Sequence, residues 1–102
     1  MNFNIDKHLS NWDLSLMIGG KDYPTCRPSL GLMGKLKELA TMPDAEAIAT
    51  IGHLFQSPGP DVSGLGLEGM QLAVGLVYAY QTKCNESVPA RIAAAIKDEF
   101  KD

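Results

Sequence analysis

From Leu72 to Tyr80 every residue is apolar, glycine or tyrosine. No charge breaks the run, so a helix there is apolar nearly all round, and such a helix belongs in the middle of a fold with neighbours on several sides. It falls well short of the ~20 apolar residues that cross a bilayer, and Glu68 and Gln71 stand just ahead of it. The stretch Leu65–Lys83, LGLEGMQLAVGLVYAYQTK, therefore reads as a central helix of a soluble fold, with no membrane partner. The rest of the chain is expected to be organised around it.

The size of the chain limits what that fold can hold. At 102 residues it matches one domain with one modest core, and leaves little room for a deep enclosed active site. Hydrophobic content of 45% against 21% charged residues is ordinary for a folded domain. The formal net charge is -3, and the basic residues are scattered. Nucleic-acid binding needs a clustered basic face, so nothing here favours it. The two cysteines, Cys26 and Cys84, are too few for a disulfide framework. The opening MNFNIDKHLSNWD lacks the basic region and apolar core of a secretory signal. These features place the chain in a reducing cytoplasm with free thiols.

Taken in order, the chain reads as α+β, an N-terminal β-hairpin followed by about four helices in a single domain over residues 1–102. Residues 1–11 form a polar arm or lead-in, with Ile5 and Leu9 spaced for one helical turn. Residues 12–28 form the hairpin. Leu14, Leu16 and Ile18 alternate with Asp13, Ser15 and Met17, the period of a strand with one buried face. Gly19-Gly20 supplies the positive φ values of a tight turn. Lys21, Tyr23, Thr25 and Arg27 then share one face of the returning strand, which Pro24 confines to an edge or a break.

Residues 29–102 are helical. Ser29 is placed to cap a helix from Leu30 to Ala40 with Leu30, Met33, Leu36, Leu39 and Ala40 inward, although Gly31 and Gly34 weaken it. Thr41-Met42-Pro43-Asp44 opens a second helix reaching Gln56, with Ala45, Ile48, Ile51, Leu54 and Phe55 on its apolar side. Ser57-Pro58-Gly59-Pro60 ends it. Asp61 or Ser63 caps the entry to the central helix, and a last helix runs to Phe100 with Val88, Ile92, Ala95, Ile96 and Phe100 as its buried stripe.

Residues able to carry chemistry are sparse. His8 and His53 are the only histidines, and no set of His, Cys, Asp or Glu stands at a metal-ligand spacing. A thiol nucleophile would need Cys26 beside His53, with a helix N-terminus or a base to lower its pKa, and spacing does not supply that. Gly19-Gly20-Lys21 lacks the spacing of a phosphate loop, and Gly64, Gly66 and Gly69 follow SPGPDVS where a dinucleotide site requires a strand. No catalytic residue, cofactor or metal is expected. Aromatic and methionine side chains are better candidates for contact with another protein. The expected partner-binding residues are Trp12, Tyr23, Arg27, Met33, Tyr78 and Tyr80. Tyr78 and Tyr80 are two apart and cannot both face inward equally.

The segment LSLMIGGKDYPTCRPSLGLMGKL resembles the opening of small tail assembly chaperones of long-tailed bacteriophages: a strand, a Gly-Gly-Lys turn, a tyrosine, a short strand, and RPSLG opening a helix. The motif covers Ile18 to Gly31. LAVGLVYAYQTKCNESVPARIAAAI is similar to their second half, an apolar helix, a break and a closing helix. Pro24 and Cys26 depart from the pattern, and the acidic extension frequent in that family is missing. The resemblance implies a non-catalytic protein that binds the tape measure protein or the tail tube protein in the bacterial cytoplasm. It would do so through an exposed hairpin edge or a groove between the Leu30 and Ala45 helices. Two other readings stand beside it: a small structural phage protein that forms a homo-oligomer through the same edge, and a thiol-dependent enzyme using Cys26.

Overall fold

Gly19 and Gly20 both adopt positive φ, 61° and 79°, in the computed structural model, which describes residues 4–100. Two central residues of that hand make the hairpin turn that matches strand twist. Strands β1 (Ser15–Ile18) and β2 (Lys21–Pro24) pair antiparallel across it, with Leu16 opposite Tyr23 and Ile18 opposite Lys21. The expected alternation holds: Leu16 is buried and Met17 is 69% exposed. A Cβ on Gly20 would meet nothing within 4 Å, so only the backbone resists a side chain there. Gly20→Ala is expected to cost about 1–2 kcal/mol, whereas Gly19→Asn, which tolerates that backbone region, is expected to be nearly neutral. Urea denaturation of the two variants measures the difference.

The helices follow the hairpin in the expected order: α2 (Leu30–Leu36), α3 (Asp44–Gly52), α4 (Gly66–Glu86) and α5 (Val88–Glu99), with a short α1 (Ile5–His8) ahead of β1. The architecture is α+β. Ser29 caps α2 as expected, its Oγ accepting from the Leu32 N–H at 3.1 Å. Asp61 caps the 3-10 turn Val62–Gly64, its Oδ1 accepting from the Ser63 N–H at 3.2 Å.

Both helix ends read from apolar spacing come earlier than the sequence predicts. α2 stops at Leu36, and a 3-10 turn, Leu39–Thr41, brings Leu39 inward beside Leu36. Leu30, expected to be buried, is 90% exposed. α3 stops at Gly52, and residues 54–56 pair with the end of the hairpin. Cys26 N–H donates to Leu54 O at 2.7 Å, and Gln56 N–H donates to Pro24 O at 3.0 Å. Thr25 and Phe55 form the bridge between them. Those bonds take up backbone groups that the β1 side of the hairpin cannot reach. Ala45 is exposed, and Ala47 and Thr50 are buried in its place.

By their contacts the residues divide into two compact units, Trp12–Val77 and a second formed by Met1–Asn11 with Tyr78–Asp102. The core lies in the first. Ile51, Leu54 and Val77 are 0% exposed, and Leu16, Leu36, Leu39, Phe55, Val62, Met70 and Ala73 close around them. Within this unit α4 is covered on one side only. Met70, Ala73 and Val77 are buried, but Leu67, Leu72 and Leu76 are half exposed or more. The expectation of neighbours on several sides is therefore corrected: too little chain surrounds the helix to cover its other faces.

The second unit joins α1, the end of α4, and α5. Among its described residues none is fully buried. Val88, Ile92, Ile96 and Phe100, expected to form a buried stripe, stand 36%, 54%, 50% and 51% exposed. Polar bonds hold this unit. The Arg91 guanidinium donates to the His8 carbonyl at 3.2 Å and to the Cys84 carbonyl, and Arg91 Nε donates to Ser87 Oγ at 3.0 Å.

Candidate functional site

Thr25 N–H donates to Leu14 O at 2.9 Å. In an antiparallel ladder the hydrogen-bonded pairs alternate, so Leu14, Leu16 and Ile18 turn their backbone groups toward β2. Ser15 and Met17 then turn theirs outward, and neither meets a backbone partner among the described residues. The edge of β2 is treated differently. Residues 54–56 cover it where it ends. The hairpin therefore has one covered edge and one open edge.

Beside the open edge lies an apolar groove of about 230 Å³. Leu16, Met17 and Ile18 form one wall, and Leu65, Leu72 and Leu76 of the α4 side form the other, with Gly69 and Ala73 between them. Leu65 lies so close over Gly69 that a Cβ there would stand 2.9 Å from the Leu65 Cβ, so the groove floor depends on glycine. Met17, Leu72 and Leu76 are each more than half exposed. Backbone donors and acceptors next to a row of open apolar side chains are the two things that hold an added strand.

The six residues expected to bind a partner do not converge on this groove. Trp12 is half-buried and spends its indole N–H on Thr25 Oγ1 at 2.8 Å. Tyr23 packs edge-on against Phe55, with ring centroids 6.4 Å apart, and Lys21 Nζ stands 5.5 Å from its ring. Met33 is half-buried in α2. Arg27 is exposed and lines a cavity with Ser29, Leu32, Lys35 and His53. These four residues belong to the Trp12–Val77 unit, whereas Tyr78 and Tyr80 belong to the other. Both tyrosines are half-buried, and the Tyr80 hydroxyl reaches the Asn11 carbonyl at 3.5 Å. The residues that do form the groove carry a signal of their own in the sequence. Leu72 and Leu76 are four apart, and Met17 is apolar at a position that the strand alternation leaves to solvent.

A concavity beside α2 is bordered by the basic side chains of Arg27 and Lys35, together with Ser29, Leu32 and His53. Cys26 is half-buried and does not line it, and His53 is exposed. Among the described residues no group of three or more His, Cys, Asp or Glu could hold a metal ion, and no helix is long and apolar enough to cross a membrane. Comparison with known protein families, curated proteins and solved structures found no match.

Proposed function

We propose that this chain is a non-catalytic protein-binding factor that takes an extended segment of a partner onto the open edge of β1. The observation that supports it is the coincidence of that edge with the apolar groove of Met17, Leu72 and Leu76. An added strand would pair with the outward backbone groups of Ser15 and Met17 and set alternate side chains into the groove. Read together with the Ile18–Gly31 motif, the partner is the tape measure protein or tail tube protein of a long-tailed phage, and the chain is its assembly chaperone in the bacterial host cell.

The test begins with the genes flanking the one that encodes this chain. Tail tube and tape measure genes are expected there. Titration of the tape measure protein with the wild-type chain and with Met17→Glu then reads the edge directly. A charge placed on the groove rim is expected to weaken binding at least tenfold while leaving the core intact, because Met17 is 69% exposed. Cys26→Ser is expected to bind like wild type. Flanking genes unrelated to tails, or Met17→Glu binding unchanged, would sink the reading. Rings or tubes on sizing would favour a structural role instead, and a turnover lost in Cys26→Ser would favour an enzyme.

A further inference from the structure

We infer that the second unit is completed by a second copy of this chain, whose α5 packs antiparallel against the α5 of the first. This surface belongs to the second unit, whereas the β1 edge belongs to the Trp12–Val77 unit.

Three observations carry it. The first is that none of this unit's described residues is fully buried. A helix of 12 residues is marginal in water by itself and takes most of its stability from a packed apolar face. Here that face is formed but left open: Val88, Ile92, Ile96 and Phe100 follow one another at every fourth position, and α1 adds Ile5 and Leu9, which are 70% and 47% exposed. Between α1 and α5 an open cavity of about 220 Å³ is lined by Ile5, Leu9, Val88, Ile92 and Ala95. An apolar side chain from outside can fill it.

The second is self-complementarity. In a two-fold pairing the same patch meets itself. An antiparallel match of this row about its own midpoint sets Ile92 against the second copy's Ile96, and Val88 against its Phe100. A small residue thus meets a large one at each end, and equal ones meet in the middle. All four lie on one i, i+4 row, and rows of that kind interdigitate at a crossing of about -50°. Ala93 is exposed beside the row and leaves room for close approach.

The third is area. Whole aliphatic side chains supply on the order of 100 Å² of apolar surface each, so the six side chains, about half open, offer roughly 300 Å² per copy. The smaller specific interfaces bury roughly 600 Å² per partner, a little over half of it apolar. The patch is of the size such a dimer needs, and at that size the dimer is expected to dissociate on dilution.

Sedimentation equilibrium of the full chain tests this across a concentration series. The expected result is a mass moving from 11.0 kDa toward twice that value as concentration rises. Ile96→Glu is expected to stay at the single-chain mass, and the milder Ile92→Ser is expected to raise the dissociation constant at least tenfold. Ile92 and Ile96 are half exposed, so circular dichroism should show the Trp12–Val77 core unfolding as in wild type. Met17→Glu is expected to leave the dimer intact, which separates this surface from the partner-binding edge. A chain that stays at the single mass throughout overturns the inference, as does an Ile96→Glu dimer or a dimer lost in Met17→Glu. A dimer that forms only after residues 1–3 are removed overturns it too, because the chain's own N-terminus would then be the occupant.

Discussion

Leu54→Ala is expected to lower the thermal midpoint by about 10–30 °C, the largest single-residue effect in this chain. Leu54 is 0% exposed and sits with Ile51 and Val77 at the centre of the Trp12–Val77 unit. Removing a fully buried leucine side chain costs about 2–5 kcal/mol, part from lost burial and part from the cavity left behind. A unit of this size has a total stability of only about 3–10 kcal/mol, so the change takes a large share of it. The matched control is Leu76→Ala. Leu76 falls inside the longest apolar run of the sequence but is 51% exposed, and its replacement is expected to shift stability by no more than about 0.5 kcal/mol. Melting curves followed by circular dichroism compare the two. Equal shifts would mean that the apolar run, and not the end of α3, is the true centre of packing.

That contrast shows how far the sequence could be read. Local punctuation was legible because it rests on single residues. Only glycine pays no steric cost at both turn positions, so Gly19-Gly20 marked the hairpin. Ser29 and Asp61 marked helix and turn entries because their side-chain oxygens are placed to take orphan N–H groups. The end of α3 was not legible. Ile51, Leu54 and Phe55 continue a helical spacing, and what stops the helix is the nonlocal pairing of residues 54–56 with Pro24 and Cys26. Nor does periodicity say whether an apolar face is covered. Leu72 and Leu76 carry the same signal as Ala73 and Val77, yet one pair is open and the other buried. The candidate groove was missed for that reason, since it needs residues 16–18 and 65–76 brought side by side. The aromatic residues favoured from composition are instead partly spent within the fold.

Thr25 shows how one of those aromatic residues is spent, and its replacement is the second large expected effect. Thr25 is 1% exposed. Its hydroxyl donates to the Leu14 carbonyl at 2.6 Å and accepts the Trp12 indole N–H at 2.8 Å. The residue also stands where the chain leaves β2 to bridge Phe55, so it ties Trp12, the hairpin and the end of α3 together. Thr25→Val keeps the branched shape and removes both hydroxyl bonds. Valine suits a strand at least as well as threonine, which works in favour of the variant by a fraction of a kcal/mol. Against that, the indole loses its acceptor in a half-buried place, and a polar group stripped of its partner costs about 1–3 kcal/mol. The second term is larger, so the variant is expected to melt roughly 5–15 °C lower. Trp12 is the only tryptophan, so its emission reports the same change without a label. It is expected to move to longer wavelength in Thr25→Val as the ring comes free, and to stay in place in Thr25→Ser, which keeps the hydroxyl. If Thr25→Val matched wild type in both melting and emission, the Trp12–Thr25–Leu14 chain of bonds would contribute nothing. The hairpin would then be held on the core by the backbone bonds of Pro24 and Cys26 to residues 54–56 and by Leu16 and Phe55 packing.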